Sequence, residues 1–220
     1  MQPRYIVPPC RETVGIVYED PWLLVVEKPP FLLTIPGRGP QNSDCLISRV
    51  RRTHLRASVA HRLDLDTSGL LVLPLMKPVN AHLSRQLRER LMAKEYIAIV
   101  DGHPARDEGI IDLPIAPDWQ NRPRVRICPQ RGKPARTRYR VLERLTGPDR
   151  TRLHLKALTG RTHQLRIHLR ELGHPILGCD LYGSPRVTRA ADRLLLHASR
   201  LVFEHPLHGS RLDVHSTPPF

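Results

Sequence analysis

Two stretches late in the chain alternate between apolar and basic side chains, and this period of two restricts the fold more than any other feature. In residues 135–145, Thr137, Tyr139 and Val141 fall on one side and Arg136, Arg138 and Arg140 on the other. In residues 151–158, Leu153, Leu155 and Ala157 oppose Arg152, His154 and Lys156. Successive side chains of a strand point to opposite faces, so each stretch predicts a strand with one core side and one basic side. For either strand alone, an ordinary solvated face is an equally good reading of the basic side.

The rest of the chain supplies elements to pair with those strands and cover them. Residues 15–30 predict two short strands around a turn at Glu19-Asp20-Pro21, stopped by Lys28-Pro29-Pro30. A loop rich in proline and glycine runs to Pro40, and Ser43 is placed to cap a helix carrying Leu46, Ile47 and Val50. Leu70 to Leu75 is apolar and too short for a helix, which predicts a buried strand. Val79, Leu83, Leu87 and Leu91 recur every four residues, predicting a helix over 79–91 with Arg85, Arg88 and Arg90 towards solvent. Residues 96–100 predict a strand, and residues 114–134 an exposed basic loop or hairpin. A helix is expected from Thr162, with Leu165, Leu169 and Leu172 buried and Gly173 past its end. Residues 194–203 and 212–215 complete the strands. Helices and strands mix without strict alternation, so the expected fold class is α+β: a single domain on a mainly antiparallel, mixed central sheet flanked by helices and loops.

Composition narrows the function. With 35 Lys and Arg against 21 Asp and Glu, the chain carries +14, a surplus that attracts polyanions, above all nucleic acid. Only five of the basic residues are Lys, and Pro reaches 22, as a GC-rich genome would produce. That bias explains arginine in place of lysine but not the surplus itself. No apolar run is long enough to span a membrane, and MQPRYIVPPC does not look like a signal peptide, so a cytoplasmic chain is expected. Cys10, Cys45, Cys128 and Cys179 form no CxxC pair, which argues against a zinc knuckle or redox dithiol and for reduced thiols.

Two segments concentrate unusual residues. HRLDLDTSGLLVLPL (61–75) places Asp64 and Asp66 just before the buried strand. Asp66, Thr67, Ser68 and Gly69 read most simply as a turn, their side chains bonding nearby amides. Asp64, between Leu63 and Leu65, is costly there unless paired or used. In LTGRTHQLRIHL (158–169), Gly160 permits a tight turn and Thr162 can cap the helix, with Arg161 at the turn. Taken alone, this segment reads as Arg166 snorkelling to solvent and His163 and His168 on a polar face. Those two histidines are five apart, the wrong spacing for two metal ligands on one helical face, and no metal is expected.

HRLDLDTSGLLVL resembles the signature of the RluA-type pseudouridine synthases, in which the catalytic carboxylate lies in an HRLD sequence. KEYIAIV (94–100) is similar to the family's second motif and LTGRTHQLRIHLRELGHPILGCDLYG (158–183) to its third. The motifs fall in the family's order, and the resemblance covers residues 14–217, leaving 1–13 as an N-terminal extension. DWQNRPRV and GKPARTRY resemble the large-subunit synthase A subgroup. The chain departs from the family pattern at Gly178-Cys179-Asp180-Leu181-Tyr182, where relatives read Gly-Asp followed by an aromatic pair.

The resemblance implies a pseudouridine synthase catalytic domain that isomerises uridine within structured RNA, 23S rRNA and/or a tRNA anticodon stem-loop. Because the product is an isomer, no cofactor or metal is required. Asp64 would act on the ribose, Arg166 would keep it ionised, and Tyr96 would lie against the uracil. Arg62 would fill the space left by the extruded nucleotide, with His61, Arg161, Thr162 and His163 as further substrate-binding residues. The basic strand faces and the loop at 122–126 would supply phosphate contacts. A monomer is the default. A non-catalytic RNA-binding protein and a metal-dependent nuclease are the alternatives.

Overall fold

The computed structural model describes residues 6–220; the first five residues of the expected N-terminal extension lie outside them. In chain order the elements are β1 (Gly15–Glu19), β2 (Leu23–Lys28), α1 (Leu46–Val50), β3 (Ser68–Pro74), α2 (Lys77–Glu89) and β4 (Ala93–Asp101). There follow β5 (Glu108–Asp112), β6 (Ile115–Pro117), β7 (Val125–Ile127), β8 (Arg136–Leu145) and β9 (Arg150–Ala157). The chain ends with α3 (Gln164–Glu171), α4 (Pro185–Arg189), β10 (Leu196–Glu204) and β11 (Arg211–His215). The α+β class expected from the sequence holds. The chain divides into two compact units, one of residues up to Met92 with Arg200–Thr217, the other of Ala93–Ser199 with Pro218–Phe220.

In the first unit β2 pairs antiparallel with β1 and with β3, and β10 with β11. Leu23 and Val25 of β2 and Leu70 and Val72 of β3 sit two apart on one face, where Val79 and Leu83 of α2 cover them. The turn between β1 and β2 is fixed by Asp20, whose Oδ1 accepts the Trp22 and Leu23 N–H groups at 2.8 and 2.9 Å. Its Oδ2 accepts from the Tyr18 hydroxyl and His205 Nε2 at 2.8 and 2.9 Å. Burial pushes the Asp20 carboxyl up, but these four donors outweigh it and leave its pKa below the ordinary value.

Two expectations fail in this unit for local reasons. The cap of α1 is Cys45 rather than Ser43: the Cys45 N–H donates to Ser48 Oγ at 3.0 Å, and the helix starts at Leu46. Leu91 does not continue the stripe of α2, because Arg90 turns left-handed at φ 61° and ends the helix, leaving Leu91 exposed.

In the second unit β4, β9, β8 and β5 run antiparallel in that order, and β6 and β7 form a hairpin within the expected basic segment. Thr137, Tyr139, Leu153 and Leu155 are buried, as the alternation requires. Helix α3 departs most from expectation. Its cap is His163, at φ 51°, instead of Thr162, and every residue from Gln164 to Leu169 is buried. His168 is therefore a core residue rather than a polar-face one: its Nδ1 bonds Thr137 Oγ1 and its Nε2 donates to Leu113 O, both at 3.0 Å. Burial holds its pKa below the ordinary histidine value. All four cysteines are free, and among the described residues no helix is long and apolar enough to cross a membrane.

Candidate active site

Asp64 lies in the irregular segment that enters β3, half-buried between two anchored leucines. On one side Thr34 Oγ1 donates to Leu63 O at 2.9 Å and accepts the Leu63 N–H at 3.3 Å. On the other, Leu65 O accepts from Lys28 Nζ at 3.0 Å. Lys28 is fully buried, and the same ammonium donates to Pro29 O and Leu32 O at 2.8 Å each. Three donors meet three carbonyls, which offsets the cost of taking an ammonium out of water. The backbone around residue 64 is thus fixed from both sides, while the Asp64 carboxylate has no hydrogen-bond or ion-pair partner among the described residues of its own unit.

The following turn closes with the Thr67 N–H on Asp64 O at 3.3 Å, and Gly69 takes φ 109°, a conformation that suits glycine. Thr67 does not bond a nearby amide as expected: its Oγ1 is buried without a partner among the described residues. His61 Nε2 accepts the Val72 N–H at 3.4 Å, which leaves the ring proton to Nδ1, and Arg62 beside it is exposed.

In the second unit Tyr96 is buried on β4, opposite Leu155. The loop into α3 is organised by Gln164. Its Oε1 accepts from Thr159 Oγ1 at 2.7 Å and from the Arg161 N–H at 3.1 Å, and its Nε2 donates to Arg136 O at 2.9 Å. Arg161 Nε donates to Pro134 O at 3.1 Å, whereas Thr162 is exposed. His163 Nδ1 lies 2.9 Å from the Tyr182 hydroxyl, which also accepts the Val125 N–H at 2.9 Å.

Arg166 overturns the expectation of a snorkelling side chain, being only 1 % exposed. Its Nη2 meets Asp180 Oδ1 at 2.5 Å, its Nε points at Cys179 Sγ at 3.4 Å, and its guanidinium lies 5.7 Å from the Tyr182 ring centre. The segment where the sequence departs from the family pattern is the one that holds this arginine. A buried guanidinium needs such a carboxylate, because a planar cation out of water is costly unless paired.

The basic strand faces are less free than alternation alone suggests. Glu95 of β4 takes His154 at 2.9 Å and Lys156 at 3.9 Å, Arg136 pairs with Asp112 at 3.0 Å, and Arg144 with Asp107 at 2.6 Å. The tip of the β6–β7 hairpin is different. Trp119 is 69 % exposed there, with the Arg122 guanidinium 4.0 Å above its ring.

Sequence reasoning missed Lys28, Thr34, Gln164 and Asp180. Lys28 carried a signal: two residues past Val26, it continues one face of the apolar run LLVV and is out of place there unless its charge is satisfied inside. The other three carried none, since the partners that give them their roles lie up to 29 residues away in sequence.

Comparison with known proteins places these features in context. The family model described as RNA pseudouridylate synthase matches residues 22–171. The dual-specificity RNA pseudouridine synthase RluA of Escherichia coli K12 is 44% identical over 213 residues, 97% of each chain. Its counterpart in Yersinia pestis is 46% identical over 195 residues, 89% of this chain and 94% of the relative. Among solved structures, human RNA pseudouridylate synthase domain containing 1 superposes with a TM-score of 0.80 at 31% identity, covering 97% of this chain and 86% of that one.

Proposed function

The chain belongs to the RNA pseudouridylate synthase family, and on that premise we propose that it converts uridine to pseudouridine within structured RNA with Asp64 as its catalytic carboxylate. The reaction breaks the bond from C1′ to N1 and rejoins uracil through C5. Asp64 starts it, either by adding to C1′ or by removing the 2′ proton. The observation that carries this reading is local. Lys28 and Thr34 pin the backbone on both sides of Asp64, and among the described residues of its own unit nothing engages its carboxylate. Preorganisation of that kind serves a group that must meet a substrate atom in one orientation.

Tyr96, Arg166 and Arg62 take their roles from the motifs. Tyr96 stacks on the uracil and assists loss of the C5 proton, Arg166 keeps the carboxylate ionised, and Arg62 fills the space the nucleotide leaves. His61, Arg161, Thr162 and His163 contact RNA. Its substrates are 23S rRNA and/or a tRNA anticodon stem-loop, a range in keeping with the dual specificity for which its relatives are named, and the enzyme works in the cytoplasm as a monomer.

The test is tritium release from RNA labelled at C5 of uridine. Asp64→Asn should abolish release while RNA affinity stays close to wild type; substantial residual turnover removes Asp64 from the role. Mapping pseudouridines in cellular RNA with and without the gene identifies the substrates, and modification of neither rRNA nor tRNA would overturn the substrate assignment.

A further inference from the structure

We propose that Lys94 is the binding group for a backbone phosphate of the RNA strand that carries the target uridine, an assignment that rests on the RNA-modifying reading above. Lys94 is the second residue of β4 and Tyr96 the fourth, so the two share a face of the strand while Glu95 points the other way, to His154 and Lys156. The Lys94 ammonium lies over the loop into α3. A Cβ built on Gly160 would stand 3.2 Å from Nζ, so the missing side chain at 160 is what gives the ammonium its room. Gly160 itself is exposed, leaving the approach open.

The neighbouring cations of this unit have acceptors. Lys156 reaches Glu95, Arg161 reaches Pro134 O, and Arg166 reaches Asp180. Lys94 has none: among the described residues its ammonium makes no hydrogen bond and no ion pair. Burial draws its pKa below the ordinary lysine value, the direction expected of an ammonium that has lost water and gained no acceptor. Lys28 shows what a purely structural lysine looks like here, fully buried with three carbonyls on its three donors.

The partner Lys94 calls for is therefore an anion from outside the unit. RNA offers one at every nucleotide, and a lysine binds phosphate as a compact charge with three rotatable donors. A backbone can come close where Gly160 presents no side chain. The competing occupant is the uracil ring, which carries negative charge once its bond to C1′ breaks. The two differ in what they change: a phosphate contact acts on binding and its salt dependence, a ring contact on turnover alone.

The experiment measures equilibrium binding of a fluorescent RNA stem-loop across a salt series, alongside tritium release, for wild type, Lys94→Met, Lys94→Arg and Gly160→Ala. Lys94→Met should weaken binding ~10-fold and flatten the logarithmic salt slope by about 0.7–0.9, one phosphate's worth of counterions. KM should rise with kcat nearly unchanged, Lys94→Arg should restore the slope, and Gly160→Ala should behave as a milder Lys94→Met. A thermal midpoint at or above wild type for Lys94→Met excludes misfolding, since the substitution removes a desolvated charge. An unchanged affinity and slope overturns the proposal, and so does normal binding with collapsed kcat, which assigns Lys94 to the ring. Because binding is read without turnover, a failure of Asp64 in its role leaves this test intact, whereas wild-type protein that binds no RNA defeats the functional reading itself.

Discussion

Replacing Lys28 with Met separates anchoring from folding. Methionine matches the length of the lysine stem but carries no donors, so Pro29 O, Leu32 O and Leu65 O all lose their partner at once. Each buried carbonyl left without a donor costs about 1–3 kcal/mol. The gain is that an ammonium no longer has to be taken out of water, a term of several kcal/mol in the opposite direction. The net loss should be about 2–4 kcal/mol, or a fall in thermal midpoint of roughly 10 °C for a chain of this size. Freed from the ammonium, Leu65 O releases the backbone next to Asp64, and kcat should fall ~10-fold or more with KM nearly constant, since only the reacting geometry is loosened. The control is Leu83→Ala, which opens a cavity under α2 in the same unit at a cost of about 2–5 kcal/mol without touching residues 63–65. Both variants are assayed well below their midpoints by thermal melting and tritium release. If Lys28→Met loses stability but keeps its kcat, the positioning argument is wrong. If its midpoint does not move, the three hydrogen bonds carry no net stability.

Other perturbations address separate points. Asp180→Asn leaves the buried Arg166 guanidinium without its carboxylate; because Asp180 is itself 59 % exposed, stability should fall by only about 1–2 kcal/mol, but kcat should drop and Asp180→Glu should partly restore it, and full activity in Asp180→Asn would show that Arg166 needs no such support. His197 is fully buried, and burial first, then the charge of Arg193, hold its pKa at about 4. The unfolded chain binds a proton near pH 6.5 that the folded chain refuses until about 4, so stability should be lost as pH falls through that window, by roughly 3 kcal/mol in total. Urea midpoints of wild type and His197→Gln measured across the window should converge at the acid end, and parallel curves would refute the assignment. Thr67→Val removes a buried hydroxyl that has no partner among the described residues, so it should be neutral or slightly stabilising; a loss above about 1 kcal/mol would mean the hydroxyl is bonded.

The strands were legible because their signals are local. Alternation in β8 and β9, the apolar run of β3 and the turn at Asp20 can each be read from a window of a few residues, and each stands where expected. Helix ends were less legible. Cys45 and His163 serve as caps in place of Ser43 and Thr162, because Ser48 and the left-handed turn at His163 decide where the first turn closes. Burial of α3 was hidden altogether. Arg166 and His168 look polar in sequence, and only their partners at Asp180, Thr137 and Leu113, up to 55 residues away, make them interior. The motifs of the candidate site were legible, and the side chains that support them were not.

The charge surplus shows what a count of basic residues leaves out. Alternation pointed to the basic faces of β8 and β9 as a source of phosphate contacts, and of the residues it named Arg136, His154 and Lys156 face Asp112 and Glu95. Paired charges at a surface are screened and contribute little field beyond their own neighbourhood. A cation's power to hold a phosphate depends instead on whether the fold has already given it an acceptor. Lys28 has three carbonyls and Arg166 a carboxylate, so the fold has already given each an acceptor other than a phosphate. Arg122, stacked on an exposed Trp119, and Lys94, given room by Gly160, keep their donors free of carboxylates. The net +14 counts all of these alike. What distinguishes them is the local supply of oxygen atoms, which depends on chain packing. A salt titration of single-site variants should therefore rank Lys94 and Arg122 well above Arg136 and Arg144, and equal slopes for all four would show that the surplus acts as a diffuse field after all.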